Sequence, residues 1–148
     1  MTQPIDMQAA ILAALLEKLA SVPTFGAAVS EDSVLRILDA EDETLPDALI
    51  VVQPGPTETV EYVGGSSIRE RVTLNVTLLT RQRQFAALLR AGRLAVKVAL
   101  QGHRAGLDAV RGVQQAEWQT ETPMPAGDGH RWSCQVMPLQ VTYVQQLK

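Results

Sequence analysis

Residues that could act as nucleophiles, bases or metal ligands are few in this chain of 148 residues. The histidines are His103 and His130, and the single cysteine is Cys134. Both histidines lie in glycine-containing segments typical of turns, and neither has a partner at the spacing of a zinc site. Cys134 lies between Trp132 and Val136 in an alternating apolar pattern, which favours a buried structural thiol over a nucleophile.

Recognisable motifs for catalysis or nucleotide binding are also missing from the sequence. There is no glycine-rich phosphate loop and no G-x-S-x-G, and the Gly65-Ser66-Ser67 segment is typical of a turn. The acidic run from Asp39 to Glu43 could offer oxygen ligands to calcium, but it lacks the glycine and the distal glutamate of an EF-hand loop. We therefore expect a protein that has no catalytic activity and needs no metal or cofactor.

The composition is that of one ordinary globular domain over residues 1–148, with 46 % hydrophobic and 20 % charged residues. A net charge of -3 argues against general nucleic-acid binding, which needs clustered positive charge. No apolar run approaches the roughly 20 residues of a membrane span, and the N-terminus lacks the basic start of a signal peptide. With a single cysteine, these features predict a cytoplasmic protein.

Two amphipathic helices are predicted. The first covers about residues 6–20, with Asp6 as its N-cap. Its apolar face is formed by Ile11, Leu12, Leu15, Leu16 and Leu19. The second covers about residues 82–101 and ends before Gly102. Between them, residues 27–47 predict a short strand or helical turn followed by an acidic loop.

Alternating or continuous apolar segments predict the strands. Residues 48–52 are typical of a strand buried on both faces, and residues 57–63 predict a second strand before a hairpin turn at Gly64-Gly65. Residues 68–80 alternate most clearly, and further strands are predicted near 109–121 and 131–144. These elements predict an α+β fold with a single mixed or antiparallel sheet and two main helices packed on it.

The last predicted strand changes phase along its length. Trp132, Cys134 and Val136 share one parity, whereas Leu139, Val141 and Tyr143 share the other, with Pro138 at the change. Because a shift of one residue moves every side chain to the opposite face, this pattern predicts a β-bulge at Pro138.

The second predicted helix carries two apolar stripes. Its main stripe includes Phe85 and Leu88, and the second stripe consists of Ala87, Ala91, Leu94 and Val98. Basic residues border the second stripe every seven positions, at Arg83, Arg90 and Lys97. Since a helix on a single sheet needs one apolar face, the second stripe either packs under the first helix of the same chain or contacts another subunit.

Charge is segregated along the chain. Acidic residues dominate between positions 31 and 47, whereas basic residues dominate between positions 69 and 104. The acidic residues are Glu31, Asp32, Asp39, Glu41, Asp42, Glu43 and Asp47. The ordinary interpretation is a solvated loop, but separate acidic and basic patches also permit head-to-tail association, which can close into a ring.

These segments together resemble the phage tail terminator family, the minor tail proteins of the lambda U type and their prophage relatives. The resemblance lies in the order of the elements. It also lies in the opening Ala9 to Leu16, the strand from Leu45-Pro46 to Val52, the alternating strand ending at Thr80, the second helix, and the closing Val141-Thr142-Tyr143-Val144. It implies a ring, usually of six copies, that caps the tail tube at its head-proximal end, stops its polymerisation and presents a surface to the head connector.

The partners that this resemblance implies are further copies of the chain, the tail tube protein and the head-tail connector or neck protein. Its implied location is the virion tail, after assembly in the host cytoplasm. No sequence-specific nucleic acid and no membrane are expected as partners. Other interpretations are a neck or head-completion protein, and a small enzyme whose site forms only between subunits.

A terminator ring must let DNA slide through, and basic linings hold DNA through counterion release. We therefore expect the acidic residues of positions 31–47 near the lumen or the axial faces. The basic residues Arg83, Arg90 and Lys97 are expected at subunit contacts or on the outside.

Overall fold

The computed structural model describes residues 3–40, 44–126 and 131–148. In chain order, the elements are helix α1 (Met7–Leu19), a 3-10 turn (Phe25–Ala27), strand β1 (Val29–Glu31), helix α2 (Val34–Asp39), strands β2 (Ala48–Tyr62) and β3 (Ser67–Thr80), helix α3 (Phe85–Ala99), and strands β4 (Val113–Trp118), β5 (Thr122–Met124) and β6 (Ser133–Gln146).

The strands form a single mixed sheet in the order β1-β2-β3-β6-β4, and β5 pairs with β6 beside this path. Strand β1 is parallel to β2, and the remaining pairs are antiparallel. Helices α1 and α3 pack on one face of the sheet. The predicted α+β class with two main helices on a single sheet is therefore confirmed.

Helix α1 begins where the sequence predicts. The side chain of Asp6 accepts a hydrogen bond of 3.2 Å from the backbone N–H of Ala9, which satisfies a donor that the first helical turn leaves unpaired. Ile11, Leu15 and Leu19 are fully buried in the main core, against the sheet. The predicted apolar face of this helix thus lies in the core.

Strand β2 is longer than predicted, because it continues through the segment Pro54-Gly55-Pro56. The pairing with β3 shifts register between Pro54 and Thr57, so the irregular segment is absorbed as a bulge. Strand β1 pairs with β2 only as far as Val52, and the prolines therefore lie where β2 has no second neighbour among the described residues. The expectation of two separate strands here was wrong.

The bulge predicted at Pro138 is absent, since β3 and β6 pair without interruption from Thr80↔Ser133 to Ser67↔Gln146. The phase change has another cause, because the sheet is covered on both faces at one end. From Met137 to Tyr143 the apolar residues of β6 enter the main core. Trp132 and Cys134 instead belong to a second cluster on the opposite face, with Ile37, Leu49, Val51 and Leu79.

Helix α2 supplies the cover of that second cluster through Ile37. Two further differences from the sequence prediction concern the edge of the sheet. Strand β4 is shorter than predicted. Of the two prolines expected to mark a connection, Pro123 lies within the short strand β5 and Pro125 follows it. Proline is tolerated there because an edge strand needs fewer ladder donors.

Candidate assembly surface on helix α3

Helix α3 buries one side and exposes the other. Leu89, Gly92 and Val96 face the core. The second stripe lies on the opposite side, with Leu94 61 % exposed and Val98 57 % exposed. Ala87 and Ala91 are exposed as well. Of the two alternatives for this stripe, cover by the first helix of the same chain is therefore not observed.

The close approach of α3 to the core depends on a glycine. A Cβ atom on Gly92 would lie 2.7 Å from Cε2 of Phe25 and 3.2 Å from Cδ1 of Leu78. Phe25 is fully buried in the 3-10 turn after α1. The glycine thus lets the aromatic ring lie directly against the helix, and this contact sets how α3 is oriented on the sheet.

A shallow apolar groove runs along the exposed side of α3. It has a volume of about 380 Å³. Its lining consists of Ser21, Pro23, Ala91, Leu94, Ala95, Val98 and Ala99. One wall is the second stripe and the other is the segment that follows α1, so the groove is wide enough for a single large side chain from another molecule.

The basic border of the stripe divides into two parts. Arg83 and Arg90 are exposed, and neither forms an ion pair within residues 3–40, 44–126 and 131–148. Lys97 instead binds Glu121 at 2.9 Å and lies 5.9 Å from the centre of the Trp118 ring. Lys97 is therefore held by its own chain. Arg90 lies next to the groove residue Ala91, whereas Arg83 precedes α3 and lines a separate polar pocket with Asp47, Arg81 and Arg131.

Glu121 is the centre of a small ion cluster that the sequence did not reveal. Its carboxylate accepts hydrogen bonds from Arg93 and Lys97 and is only 15 % exposed. Burial raises the pKa of Glu121, but the hydrogen bonds from the two cations outweigh burial, so its pKa is lowered overall. The hydrogen bond to Glu121 and its negative charge in turn raise the pKa of Arg93. The cluster fastens the outer side of α3 to the segment before β5.

None of the described acidic residues of the 31–47 region lines the groove. Glu31 ends β1 and Asp39 ends α2, and both are exposed. Asp32 forms an ion pair with Arg36, and this hydrogen bond together with the Ser33 backbone N–H lowers the pKa of Asp32 to about 2.

Asp47 is also exposed, and it pairs with Arg81 at 3.3 Å. The positions Glu41, Asp42 and Glu43 lie outside the described residues. The expected placement of the acidic residues relative to a lumen stays a prediction.

The basic tract between positions 69 and 104 is largely neutralised within the chain. Ion pairs join Arg69 to Glu61, Arg71 to Glu58, Arg81 to Asp47 and Arg104 to Asp108. Charge segregation is therefore weaker in three dimensions than along the sequence. Within the described residues, the cations of this tract without an ion pair are Arg83 and Arg90, and only Arg90 is next to the groove.

The candidate chemical residues are dispersed. His103 is exposed in a turn, Cys134 is buried, and His130 lies outside the described residues. Burial raises the pKa of the Cys134 thiol to about 11. Among the residues that the structure describes, no three histidine, cysteine or carboxylate side chains are grouped as a metal site would require. No described helix is long and apolar enough to cross a membrane.

Comparison with known proteins gives a likeness of fold. No protein-family model matches the sequence, and no curated protein matches it either. A chain in the solved structure of the virion of a native gene transfer agent (GTA) particle matches with a TM-score of 0.61 and 16 % sequence identity. The match covers 95 % of this chain and 98 % of that chain, so the two share one fold over almost their whole lengths.

Proposed function

We propose that this protein is a structural component of a phage-type virion and acts as its tail terminator. In this role it assembles as a ring, with six copies expected, on the head-proximal end of the tail tube. The ring stops polymerisation of the tube and forms the surface that joins the head connector. The observation that carries the proposal is the fold shared, at nearly full length, with a chain of the gene transfer agent virion.

The exposed stripe on α3 supports an assembling protein. Burying a leucine or valine side chain that is otherwise in water stabilises a contact by roughly 1.5–3 kcal/mol. Leu94 and Val98 are both more than half exposed, and they lie side by side at the groove. A partner that covers them is stabilised by this free energy, whereas in the isolated protomer the two side chains stay in water.

The residues with potentially reactive side chains favour a role without catalysis. Cys134 has a raised pKa and no access to solvent, so it is a poor nucleophile. His103 has no carboxylate partner in the ion pairs of the described chain. We therefore propose a binding and capping function that needs no metal or cofactor, rather than an enzyme whose site forms between subunits.

Native mass spectrometry and negative-stain electron microscopy of the purified protein test the proposal. Closed rings are expected, and addition of the ring to polymerising tail tube protein should give shorter tubes with the ring at one end. A protein that stays monomeric at all concentrations, alone and with tube protein, would contradict this role.

A neck or head-completion protein is the second candidate, because likeness to a virion chain favours a virion component and not one position within the particle. Pull-down distinguishes the two. A terminator binds tube protein, whereas a neck protein binds portal complexes and leaves the length of the tubes unchanged.

A further inference from the structure

We propose that the groove on α3 receives helix α2 of a second copy of this chain, so that neighbouring subunits join head to tail. This inference deepens the proposed function and rests on it. The groove is the apolar surface formed by α3 and the segment after α1. Its occupant is the outer face of α2, which carries an exposed leucine and an exposed aspartate.

Helix α2 has an inner and an outer face. Ile37 is 2 % exposed and packs in the second cluster, whereas Leu35 is 69 % exposed. Asp39 lies one helical turn after Leu35 and therefore on the same outer face. Glu31 ends the strand just before the helix and is exposed as well. The outer face thus carries one large apolar side chain with Asp39 one turn away, while the exposed Arg36 of the same helix is paired with Asp32.

The groove offers the complementary pattern. Leu94 lies one turn after Arg90, so an apolar side chain and a cation stand next to each other on α3. When Leu35 of one copy enters the groove beside Leu94 of the next, the i,i+4 spacing on both helices lets Asp39 reach Arg90. Neither Asp39 nor Arg90 forms an ion pair within the described part of its own chain.

A two-fold contact between two α3 helices fits the charges less well. An antiparallel contact centred on Leu94 would set Arg90 of one copy opposite Val98 of the other, with no counter-charge for the arginine. Helices α2 and α3 also pack on opposite faces of the sheet. Each copy therefore carries the outer face of α2 and the groove on α3 at different places. This arrangement lets the same contact repeat from subunit to subunit around a ring.

Two single variants test this contact. Leu35→Asp disrupts the outer face of α2 and keeps the groove intact. Leu94→Asp disrupts the groove and keeps the outer face of α2 intact. Each places a charge in an apolar contact and should weaken self-association at least about 100-fold. Both positions are exposed, so the thermal midpoint of each isolated monomer should stay that of the wild type.

Mixing the two variants gives the decisive result. Leu94→Asp still carries an intact α2, and Leu35→Asp still carries an intact groove, so the mixture should form dimers of unlike chains and nothing larger. Native mass spectrometry with one variant isotopically labelled measures this. A mixture that stays monomeric, or a Leu35→Asp protein that assembles like the wild type, overturns the proposal.

Charge reversal provides an independent arm that leaves the apolar contact intact. Asp39→Arg and Arg90→Asp should each weaken assembly about tenfold or more, and the double variant should recover most of it. No recovery in the double variant overturns the pairing. If Leu35→Asp still forms rings that cap tubes, the terminator role stands and only this contact fails. A wild-type protein that never assembles defeats both proposals.

Discussion

Arg93 donates two parallel hydrogen bonds to Glu121, from Nε to Oε1 at 2.6 Å and from Nη2 to Oε2 at 2.9 Å. This bidentate geometry joins the middle of α3 to the segment between β4 and β5. Lys97 adds a third hydrogen bond to the same carboxylate. Together with Phe25 against Gly92 on the inner side, the pair fixes the rotation of α3, and that rotation decides which side chains face solvent.

Glu121→Gln should therefore lower the free energy of unfolding by about 1–2 kcal/mol, because it leaves two cations without their counter-charge. The value is below that of a fully buried pair because Arg93 is partly exposed. Urea unfolding followed by circular dichroism measures the change. Glu58→Gln is the matched control, since its pair with Arg71 is more exposed, and it should shift the free energy by less than about 0.5 kcal/mol. Equal losses in both variants would contradict a special role for Glu121.

The lowered pKa of Glu121 also predicts how stability depends on pH. As the pH falls, the unfolded chain takes up the proton first, so the contribution is complete above the unfolded pKa of about 4.3 and is lost as the pH falls through the folded pKa. Asp32, with a folded pKa of about 2, acts in the same direction. The free energy of unfolding should decrease as the pH is lowered from about 5. The difference in this free energy between wild type and Glu121→Gln should shrink over the same range. Parallel curves for the two proteins at every pH would show that Glu121 does not titrate in this way.

Gly92→Ala should destabilise the protein by about 1–3 kcal/mol, although alanine is the better helix former by about 1 kcal/mol. The added methyl group would overlap the ring of Phe25, which is fully buried, and would also lie 3.2 Å from Cδ1 of Leu78. Thermal unfolding measures the loss. In the isolated monomer the neighbouring Ala91 is exposed, so Ala91→Gly there reports helix propensity, with a cost of about 1 kcal/mol. A stabilising Gly92→Ala would show that the helix can move away from the ring.

Much of the fold follows from local patterns in the sequence. Helix α1 and strand β3 have regular periodicity, and both lie within a few residues of their predicted bounds. The error at β6 has a physical cause, because alternation within a strand tells which side chains share a face and not what covers that face. The cover of Trp132 and Cys134 comes from α2, which lies far away in sequence. A bulge and a second core produce the same pattern in one strand.

The candidate surface was predictable only in part. The spacing of Leu94 and Val98 identified the second stripe, since helical periodicity is a local property. Its exposure depends on where α1 packs, which no local pattern reveals. Likewise, nothing near Lys97 in sequence indicates its partner Glu121, whose carboxylate is brought to α3 by the sheet. The sequence therefore identified the stripe but included one cation that the chain already neutralises.

Cys134 should resist thiol reagents while the protein is folded. Burial raises its pKa to about 11, so the thiolate fraction at pH 8 is lower than that of a free cysteine by roughly 10²-fold, and burial restricts access further. Ellman's reagent should react with the native protein at least about 100-fold more slowly than with the protein in urea. Rapid, complete labelling of the folded protein would show that the second cluster opens readily.

Ile37→Ala should lower the free energy of unfolding by about 2–4 kcal/mol, because it leaves a cavity under the only described helix that covers the second cluster. The control lies two residues away on the same helix. Leu35→Ala removes an equally large side chain that is exposed, and it should change the free energy by no more than about 0.5 kcal/mol. Trp132 belongs to the same cluster, so its fluorescence should shift to longer wavelength in Ile37→Ala at urea concentrations where the circular dichroism is still native. A small loss for Ile37→Ala with unchanged fluorescence would mean that α2 packs too weakly to present Leu35 as a fixed face to a neighbouring subunit.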